Sequence, residues 1–335
     1  MNIKIKVINK FIPKYPLKTP VLFLIFNRLD TTKEVFSAIR QAKPPKLYIA
    51  ADGPRANIKG EMEKVKAVRE YVVNNIDWDC GVKTLFREKN LGCGKALSEA
   101  ITWFFENEEM GIILEDDCVP NQSFFSFCEN LLTKYKDDER VMMIAGTNYF
   151  FGKESSEFTY YFSRYFSIWG WATWKRAWNL YDFNMRDLDR FVEKGFFKDK
   201  NIFPDTRMGK YYKDIFLMMK KNKIDTWDYQ WVYSCLANSG LSIVPIKNLI
   251  SNIGYEGTHT DPSNSLLPSE MPTFDIDAKR IVHPSIIQHD WVLDKKLFDF
   301  LEKLNGSIFN RGKKKFSKLV LYIFKYICGK LKLTI

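Results

Sequence analysis

The strongest constraint on the fold is a ten-residue stretch, GIILEDDCVP, which runs from Gly111 to Pro120. Ile112 to Leu114 are apolar in succession, as in a parallel strand that is buried on both faces. The strand must leave the core at Glu115, because an unpaired carboxylate costs several kcal/mol when it is buried. The stretch therefore predicts a buried parallel strand whose acidic residues lie at the edge of a sheet.

Three consecutive acids end this strand: Glu115, Asp116 and Asp117. Like charges repel, and a hard cation such as Mg²⁺ or Mn²⁺ relieves the repulsion through oxygen ligands. In open α/β sheets, ligands bind outside the carboxyl ends of the strands. We interpret the triplet as a site for a metal and a nucleotide diphosphate. The alternative is a solvated acidic turn, which is common after strands.

The first 150 residues alternate between apolar runs and segments with helical spacing. Strands with helices between them are predicted at 21–26, 47–51, 82–86, 112–114 and 141–145. This alternation predicts an α/β fold with a mostly parallel central sheet flanked by helices. Further along, residues 242–245 resemble an edge strand, and residues 208–222 resemble a basic helix.

Polar residues follow two more of these strands directly. Asn27 and Arg28 follow the first strand, and Asp52 follows the second. Parallel strands share one carboxyl edge, so these residues are expected to converge with the acidic triplet. Taken singly, Asp52 also fits an ordinary turn and Arg28 an ordinary surface cation. The convergence favours a binding site.

The segment 149–183 is rich in aromatic residues, including Trp169, which precedes Gly170. Aromatic faces suit sugar rings, and a glycine permits close backbone approach. The alternative is that most of these rings belong to the core. Later, Asp228 stands among aromatic residues in WDYQW. An acid in such surroundings has a raised pKa and suits a general base, although a helix N-cap is the alternative.

One of the three histidines, His259, lies in the glycine-punctuated stretch 252–260. It is a candidate donor to a diphosphate or a metal ligand, and simple solvent exposure is the alternative. The six cysteines form no CxxC pair, which fits a reducing compartment without a disulfide framework. We expect neither a secretory signal nor a membrane-spanning helix, because no apolar run is long enough.

The net charge of +11 is concentrated at the two ends. Residues 1–18 carry five Lys and no acid, residues 303–335 carry nine Lys or Arg and no acid, and residues 19–302 sum to −3. The slightly acidic middle argues against nucleic-acid binding. From Lys313 onward, the apolar residues share one helical face opposite lysines, as in a helix that lies on an anionic membrane. A C-terminal helix packed on the domain is the alternative.

Seven motifs give the chain a family resemblance over Pro20 to His259, about 70% of its length: PVLFLIFNR, YIAADGPR, NLGCGKA, ILEDDCVPNQSFF, WGWATWKRAW, WDYQW and GTHT. In type and order they resemble those of the metal-dependent GT-A glycosyltransferases. The similarity is greatest to the N-acetylglucosaminyltransferase I type and its bacterial relatives, the hemolytic-protein-like sugar transferases. Tyr229 and Gln230 depart from the pair found in the eukaryotic enzymes.

This resemblance implies a GT-A fold and a metal-dependent, inverting transfer of sugar from a nucleotide-sugar, a UDP-sugar, to a hydroxyl of a glycan or lipid-linked glycan. It implies that Asp117 and His259 hold Mn²⁺ or Mg²⁺, and that Asp228 is the base. The residues expected to bind the nucleotide-sugar are Asn27, Arg28, Asp52, Lys95, Glu115, Asp116, Trp169, Gly170 and Trp227.

Five segments are expected on this interpretation. They are a basic N-terminal segment (1–18), a nucleotide-sugar-binding half (19–150), an acceptor and catalytic half (151–262), a C-terminal extension (263–300) and a basic amphipathic tail (301–335). The basic tail predicts binding to an anionic membrane surface. The resemblance implies a bacterial cytoplasmic enzyme that is peripheral on the inner face of the plasma membrane, with a nucleotide-sugar and a glycan as partners. No nucleic acid is expected as a partner.

Two other functions fit parts of the pattern. A sugar-1-phosphate nucleotidyltransferase uses a similar sheet, but it needs a glycine-rich basic loop after the first strand, where FNRLDTT offers only Arg28. A non-catalytic carbohydrate- or membrane-binding module has no need for a metal triplet and a separate acid. The identity of the sugar, the acceptor and the oligomeric state do not follow from the sequence.

Overall fold

The computed structural model describes residues 16–150, 152–221, 225–254 and 271–309. Within these ranges the strands are β1 (Val21–Ile25), β2 (Lys46–Ala51), β3 (Gly81–Phe86), β4 (Met110–Glu115), β5 (Cys118–Pro120), β6 (Val141–Ala145), β7 (Tyr160–Ser163), β8 (Trp171–Trp174), β9 (Leu241–Pro245) and β10 (Ile250–Asn252). The α-helices are α1 (Leu29–Ala42), α2 (Glu61–Asn74), α3 (Cys93–Asn107), α4 (Gln122–Lys134), α5 (Lys175–Trp178), α6 (Leu188–Glu193), α7 (Thr206–Lys220), α8 (Asp228–Ala237) and α9 (Trp291–Phe309).

Eight strands form one mixed sheet in the order β3-β2-β1-β4-β8-β6-β9-β7. The four strands from β3 to β4 are all parallel, as the alternation of the first 150 residues predicts. β8 is antiparallel to both β4 and β6, and β7 is antiparallel to β9. The central sheet is therefore mixed, with six strands in one direction and two in the other. A separate ribbon pairs β5 with β10.

The strand order places a topological switch point between β1 and β4. The connections from β1 to β2 and from β2 to β3 run in one direction, and the chain then returns to the other side of β1. Right-handed crossovers consequently put α1 and α2 on one face of the sheet and α3 on the other. A switch point opens a crevice at the carboxyl edge, where ligands of such sheets bind.

Two features of the second half differ from the sequence expectations. The predicted edge strand at 242–245 is β9, whose five residues are all buried between β6 and β7. The aromatic segment supplies β7 and β8, for which the sequence shows no clear strand pattern. Both differences have one cause: the second half pairs strands that are distant in sequence, so its order follows from packing.

The chain after residue 271 continues to pack on this domain. Asp290 N donates to Phe162 O (2.7 Å), and Leu297 of α9 is buried against the main core. α9 runs to Phe309 and so crosses the expected boundary at residue 300. Residues 1–15 and 310–335, which carry most of the basic segments, lie outside the described residues. Among the helices that are described, none is both long enough and apolar enough to cross a bilayer.

Candidate functional site

At the switch point, Arg28 joins the end of β1 to the acids that follow β4. Its Nη2 donates to Asp116 Oδ1 in a short contact and to Asp117 Oδ2 at 2.9 Å. Asp116 Oδ2 also accepts from the backbone N of Phe26 (3.2 Å). Asp116 is buried, whereas a third of the Arg28 side chain is exposed. The predicted meeting of Arg28 with the acidic triplet is thus present in the structure.

The charges of this group are strongly perturbed. Burial opposes the charge of Arg28, but Asp116 and Asp117 outweigh it and hold the pKa of Arg28 above its ordinary value. Burial raises the pKa of Asp116, and Arg28 partly offsets the effect. Burial, followed by repulsion from Asp117, Asp116 and Asp228, raises the pKa of Glu115 well above its ordinary value. Glu115 Oε1 is buried and has no hydrogen-bond partner among the described residues.

Asp228 is the first residue of α8 and lies beside this acidic group. Its side chain is buried, and its Oδ1 accepts a short hydrogen bond from Thr226 Oγ1. Burial raises its pKa to about 6, while the hydrogen bonds from Thr226 and the backbone of Tyr229 lower it. The N-cap position belongs to Trp227, so Asp228 is not the capping residue itself. Asp228 lies close enough to Glu115 for its charge to contribute to the raised pKa of Glu115.

Asp52 follows β2 and holds the loop that precedes α3. Its carboxylate accepts from Gly53 N (2.9 Å), Asn90 Nδ2 (2.8 Å), Leu91 N (3.0 Å) and Gly92 N (3.1 Å). Burial raises the pKa of Asp52, and the backbone donors lower it. The carboxylate therefore anchors the loop in this structure, and the nucleotide contact that the resemblance implies for Asp52 stays a prediction.

Asn27 belongs to a neighbouring group that the sequence analysis did not identify. Its Nδ2 donates to Glu61 Oε1 (3.0 Å), and Glu61 Oε2 accepts from Arg55 N (2.7 Å) and Nε (2.8 Å). Burial opposes the charge of Glu61, but Arg55 and Asn27 outweigh it and lower the pKa of Glu61. Arg55 also lies over the ring of Phe26, 5.5 Å from its centroid. The sequence feature that could have indicated this group is Arg55, a basic residue at the end of the motif YIAADGPR after β2.

Most of the tryptophans in the second half are buried in the core. Trp227 is fully buried and stacks on Trp171 with ring centroids 5.5 Å apart, and Trp169 is buried with its ring edge-on to Tyr149. The expectation that Trp227 binds the nucleotide-sugar is corrected here, because its ring is covered by the rest of the described chain. It serves instead as packing beneath Asp228. Trp169 is 6% exposed, so its packing role also dominates.

Gly170 is required by the backbone conformation and by the packing around it, and its predicted contact with the nucleotide-sugar stays a prediction. Its φ is +60°, and a Cβ at this position would lie 2.8 Å from Ile250 Cγ1. The side chains of Ile250 and Leu114 occupy the space that a larger residue needs. Gly170 thus allows β8 to begin close to β4, the strand that ends in the acidic triplet.

A pair of alanine variants separates strain from crowding at Gly170. Gly195 has a similar φ of +73°, but no atom of the described residues lies within 4 Å of the position that a Cβ would take there. We expect Gly195→Ala to lower the free energy of unfolding by about 1 kcal/mol, the cost of the left-handed backbone. Gly170→Ala should cost about 1–3 kcal/mol more through overpacking. Urea denaturation measures both, and equal losses would contradict this account.

Two further predicted residues remain to be placed. Lys95 projects from the first turn of α3 with a 62% exposed side chain, 3.7 Å from Glu99, at the end of the Asp52 loop. His259 lies outside the described residues, so its prediction is unchanged. Within the described residues, Ile253 N donates to Asp117 O (2.8 Å), so the segment 252–254 lies beside the acidic group.

The acidic group suits a hard cation in its chemistry. Within the described ranges no three His, Cys, Asp or Glu side chains form a ready metal cluster. Mg²⁺ bound with a nucleotide, however, takes only one or two protein carboxylates, and phosphates and water supply the other ligands. Asp117 is partly exposed and offers carboxylate oxygens at the switch point. The residues present therefore fit a cation that arrives with a diphosphate.

Comparison with known proteins gives only distant structural similarity. No protein-family model matches the chain, and no curated protein matches it. Among solved structures, it is similar to the glycosyltransferase GlyE of Streptococcus pneumoniae TIGR4, with 12% identity, a TM-score of 0.33 and coverage of 68% of this chain and 45% of that one. The chain thus spans less than half the length of GlyE.

Two other solved structures show comparable similarity. The inositol-1-phosphate CTP transferase of T. maritima has 9% identity and a TM-score of 0.35, with coverage of 68% of this chain and 86% of that one. HddC of Yersinia pseudotuberculosis has 8% identity and a TM-score of 0.29, with coverage of 47% and 77%. At such TM-scores the similarity assigns no activity, and the functional argument rests on the site.

Proposed function

We propose that this protein is a glycosyltransferase that moves a sugar from a nucleotide-sugar to a hydroxyl group of a glycan. The observation that carries the proposal is the buried carboxyl of Asp228, which lies close enough to Glu115 to raise its pKa, while Arg28, Asp116 and Asp117 form a charged group at the switch point. Asp228 is not bound by Arg28 and is proposed for proton transfer, while Asp116 and Asp117 are held by Arg28. This division of roles suits displacement of a charged leaving group by a neutral hydroxyl.

The donor would lie across the carboxyl edge of β1 and β4. Arg28 keeps Asp116 and Asp117 in fixed positions, and Lys95 offers an exposed cation at the end of the Asp52 loop. Asp117, with His259 as a further proposed ligand, would hold Mn²⁺ or Mg²⁺. When bound, the cation neutralises charge on the departing diphosphate. A UDP-sugar is the donor that the motif resemblance favours.

Asp228 would remove the proton from the attacking hydroxyl. Burial raises its pKa to about 6, so near neutral pH the group is mostly ionised yet more basic than an ordinary aspartate. That value suits a general base, because both the ionised fraction and the proton affinity contribute to its efficiency. The hydrogen bond from Thr226 fixes the orientation of the carboxylate. Attack opposite the leaving group would invert the anomeric centre.

Ligand-induced stabilisation tests the donor site directly. We expect UDP with Mn²⁺ to raise the melting temperature more than either alone, because binding to the folded state stabilises it by about 2.7 kcal/mol at 100 times Kd. GDP, CMP and dTDP should be measured beside UDP, each with and without the metal. A metal-dependent response to another nucleotide would keep the mechanism and change the donor.

Asp117→Ala supplies the matched test of the cation site. The variant should lose the Mn²⁺-dependent part of the stabilisation, and transfer with it. Asp277→Ala removes the same charge from an exposed surface position and should respond to UDP and Mn²⁺ as the unmodified protein does. Metal-dependent stabilisation that survives in Asp117→Ala would refute the assignment of Asp117.

The nucleotidyltransferase alternative is less well supported by the local structure. α1 begins at Leu29, directly after Arg28, and leaves no room for a glycine-rich phosphate loop between β1 and the helix. The two reactions also differ in their products, since sugar transfer releases a nucleoside diphosphate and nucleotidyl transfer releases pyrophosphate. Production of pyrophosphate from a nucleoside triphosphate and a sugar phosphate would replace our proposal with the alternative.

The acceptor is proposed to be a lipid-linked glycan at an anionic membrane. This part rests on the charge pattern of the two ends, because residues 1–18 and 303–335 are basic and contain no acid. Such segments gain about 1 kcal/mol per Lys or Arg near an anionic leaflet. A peripheral position on the inner face of a bacterial plasma membrane follows. Equal sedimentation with neutral and anionic vesicles would contradict it.

A further inference from the structure

The short segment before α8 is attached to the N-terminus of α3. Asp225 lies more than 130 residues beyond the start of α3 in sequence, yet its carboxylate accepts from Cys93 N (2.9 Å) and Gly94 N (2.9 Å). These are the first two residues of the helix, whose own backbone leaves such N–H groups without partners. A negative charge is also favourable at this end of a helix dipole. Asp225 therefore caps α3 from a distant part of the chain.

Thr226 continues the connection from α3 to Asp228. A Cβ on Gly94 would lie 2.8 Å from Thr226 O, so the two backbones are in close contact and only glycine fits. Thr226 O accepts from Gln230 Nε2 (2.7 Å), and Thr226 Oγ1 donates to Asp228 Oδ1. A continuous series of contacts thus runs from the first turn of α3 to the carboxylate of Asp228.

The two residues directly before α3 are held by Asp52. Four consecutive backbone N–H groups, those of residues 91–94, are divided between two carboxylates: Asp52 takes the first two and Asp225 the last two. These donors are therefore engaged in hydrogen bonds within the protein. Residues 91–94 form a fixed bridge between the edge of β2 and the start of α8.

We propose that Asp225 is a positioning residue, which holds Asp228 near Glu115 by tying the start of α8 to Cys93 and Gly94 at the N-terminus of α3. The role in turnover rests on the function proposed above, but the placement of α8 does not. α8 begins at Asp228, and the two bonds of Asp225 lie three residues before it. Without the two hydrogen bonds of Asp225, the segment 225–227 that precedes Asp228 depends on the contacts of Thr226 described above.

Kinetics of two variants test the role in turnover. We expect Asp225→Ala to lower kcat about 10- to 100-fold, the size of effect that a displacement of about 1 Å produces. The KM for the donor should stay within about twofold, because Asp52 still holds the loop. Asp225→Asn should restore only part of kcat, since its single amide oxygen can accept from one of the two N–H groups that the carboxylate now binds. Asp138→Ala, which removes a carboxylate that accepts from Arg140 N before β6, is the control.

Hydrogen exchange of the intact protein tests the placement independently of activity. Peptides that cover residues 225–237 should exchange faster in Asp225→Ala than in Asp225→Asn or Asp138→Ala, at equal global stability. If the unmodified protein transfers no sugar, the function fails, and faster exchange in these peptides still supports the positioning role. Unchanged exchange, or unchanged kcat in an active enzyme, overturns the role of Asp225.

Discussion

Replacing Asp228 by Asn is expected to reduce turnover about 10²- to 10⁴-fold, the contribution typical of a general base. Asn has nearly the same shape and still accepts the hydrogen bond from Thr226. It does not take up a proton at neutral pH, so the attacking hydroxyl loses its acceptor. Binding of the donor should persist, because the contacts of Arg28 and Asp117 are untouched. Single-turnover kinetics with separate donor titration measure the two effects.

Asp205→Asn provides the control for this variant. Asp205 is the N-cap of α7, and an Asn caps a helix about as well as Asp. Its turnover should match that of the unmodified protein. Unchanged turnover in Asp228→Asn would exclude Asp228 as the base, and loss of donor binding in the same variant would give it a binding role instead.

The pKa of about 6 for Asp228 also predicts a pH dependence with a definite sign. As a base it must be ionised, so kcat/KM should fall about tenfold per unit below pH 6. Its pKa is higher in the folded than in the unfolded state, so its contribution to stability is present at low pH and is lost as pH rises through 6. Asp228→Asn removes this dependence and should not unfold the protein at pH 7.5, which separates lost chemistry from lost structure.

Replacing Arg28 by Ala should have the largest effect on stability. The substitution leaves Asp116 buried without its cation, and breaking a buried ion pair from one side costs about 3–5 kcal/mol. We expect about 3 kcal/mol, the lower end, because a third of the Arg28 side chain is exposed. Urea denaturation at pH 7.5 measures the loss. Metal-dependent binding of the donor should weaken as well, since Asp117 is no longer held.

Two further variants test whether the loss of stability in Arg28→Ala comes from the buried charge of Asp116. Arg40→Ala removes a guanidinium from the same helix region, α1, but its pair with Asp77 is about half exposed, so little stability should be lost. Arg28→Ala combined with Asp116→Asn should recover part of the loss, because the uncompensated charge of Asp116 is gone. If Arg28→Ala and Arg40→Ala unfold at the same urea concentration, the buried pair is not a stabilising unit.

The Arg28 variant should also change its response to pH. Burial already raises the pKa of Asp116, and loss of Arg28 raises it further. A folded-state pKa above the unfolded value means that the contribution to stability is present at low pH and is lost as pH rises. Arg28→Ala should therefore be closest to the unmodified protein in acid. A constant difference between the two proteins across pH would contradict this.

The sequence predicted the first half of the fold well because its signals are local. Buried strands such as β1 and β2 are short apolar runs, and each is followed by a helix whose apolar residues recur at helical spacing. Parallel connections then place all the strand ends on one edge. The contact between Arg28 and the acidic triplet follows from that geometry, since both come directly after neighbouring strands.

The second half was predicted less well because its order depends on contacts between distant residues. The residues WATW of β8 show no periodicity that indicates pairing with both β4 and β6. The sequence of β9 resembles an edge strand, but in the sheet β9 lies between β6 and β7. Aromatic composition was equally ambiguous: rings that suit sugars also fill cores. Trp227 belongs to the core because Trp171 stacks on it.

The sequence by itself determined the position of the acidic strand, the placement of Arg28 directly after β1 and the position of Asp228 next to aromatic residues, since each depends on a few residues that are adjacent along the chain. Only the tertiary structure decided that Asp52 and Asp225 divide the backbone donors of residues 91–94, and that Glu61 joins Arg55 to Asn27. Hydrogen bonds between residues so far apart have no signature in the sequence, because they form only when the sheet has brought its edges together.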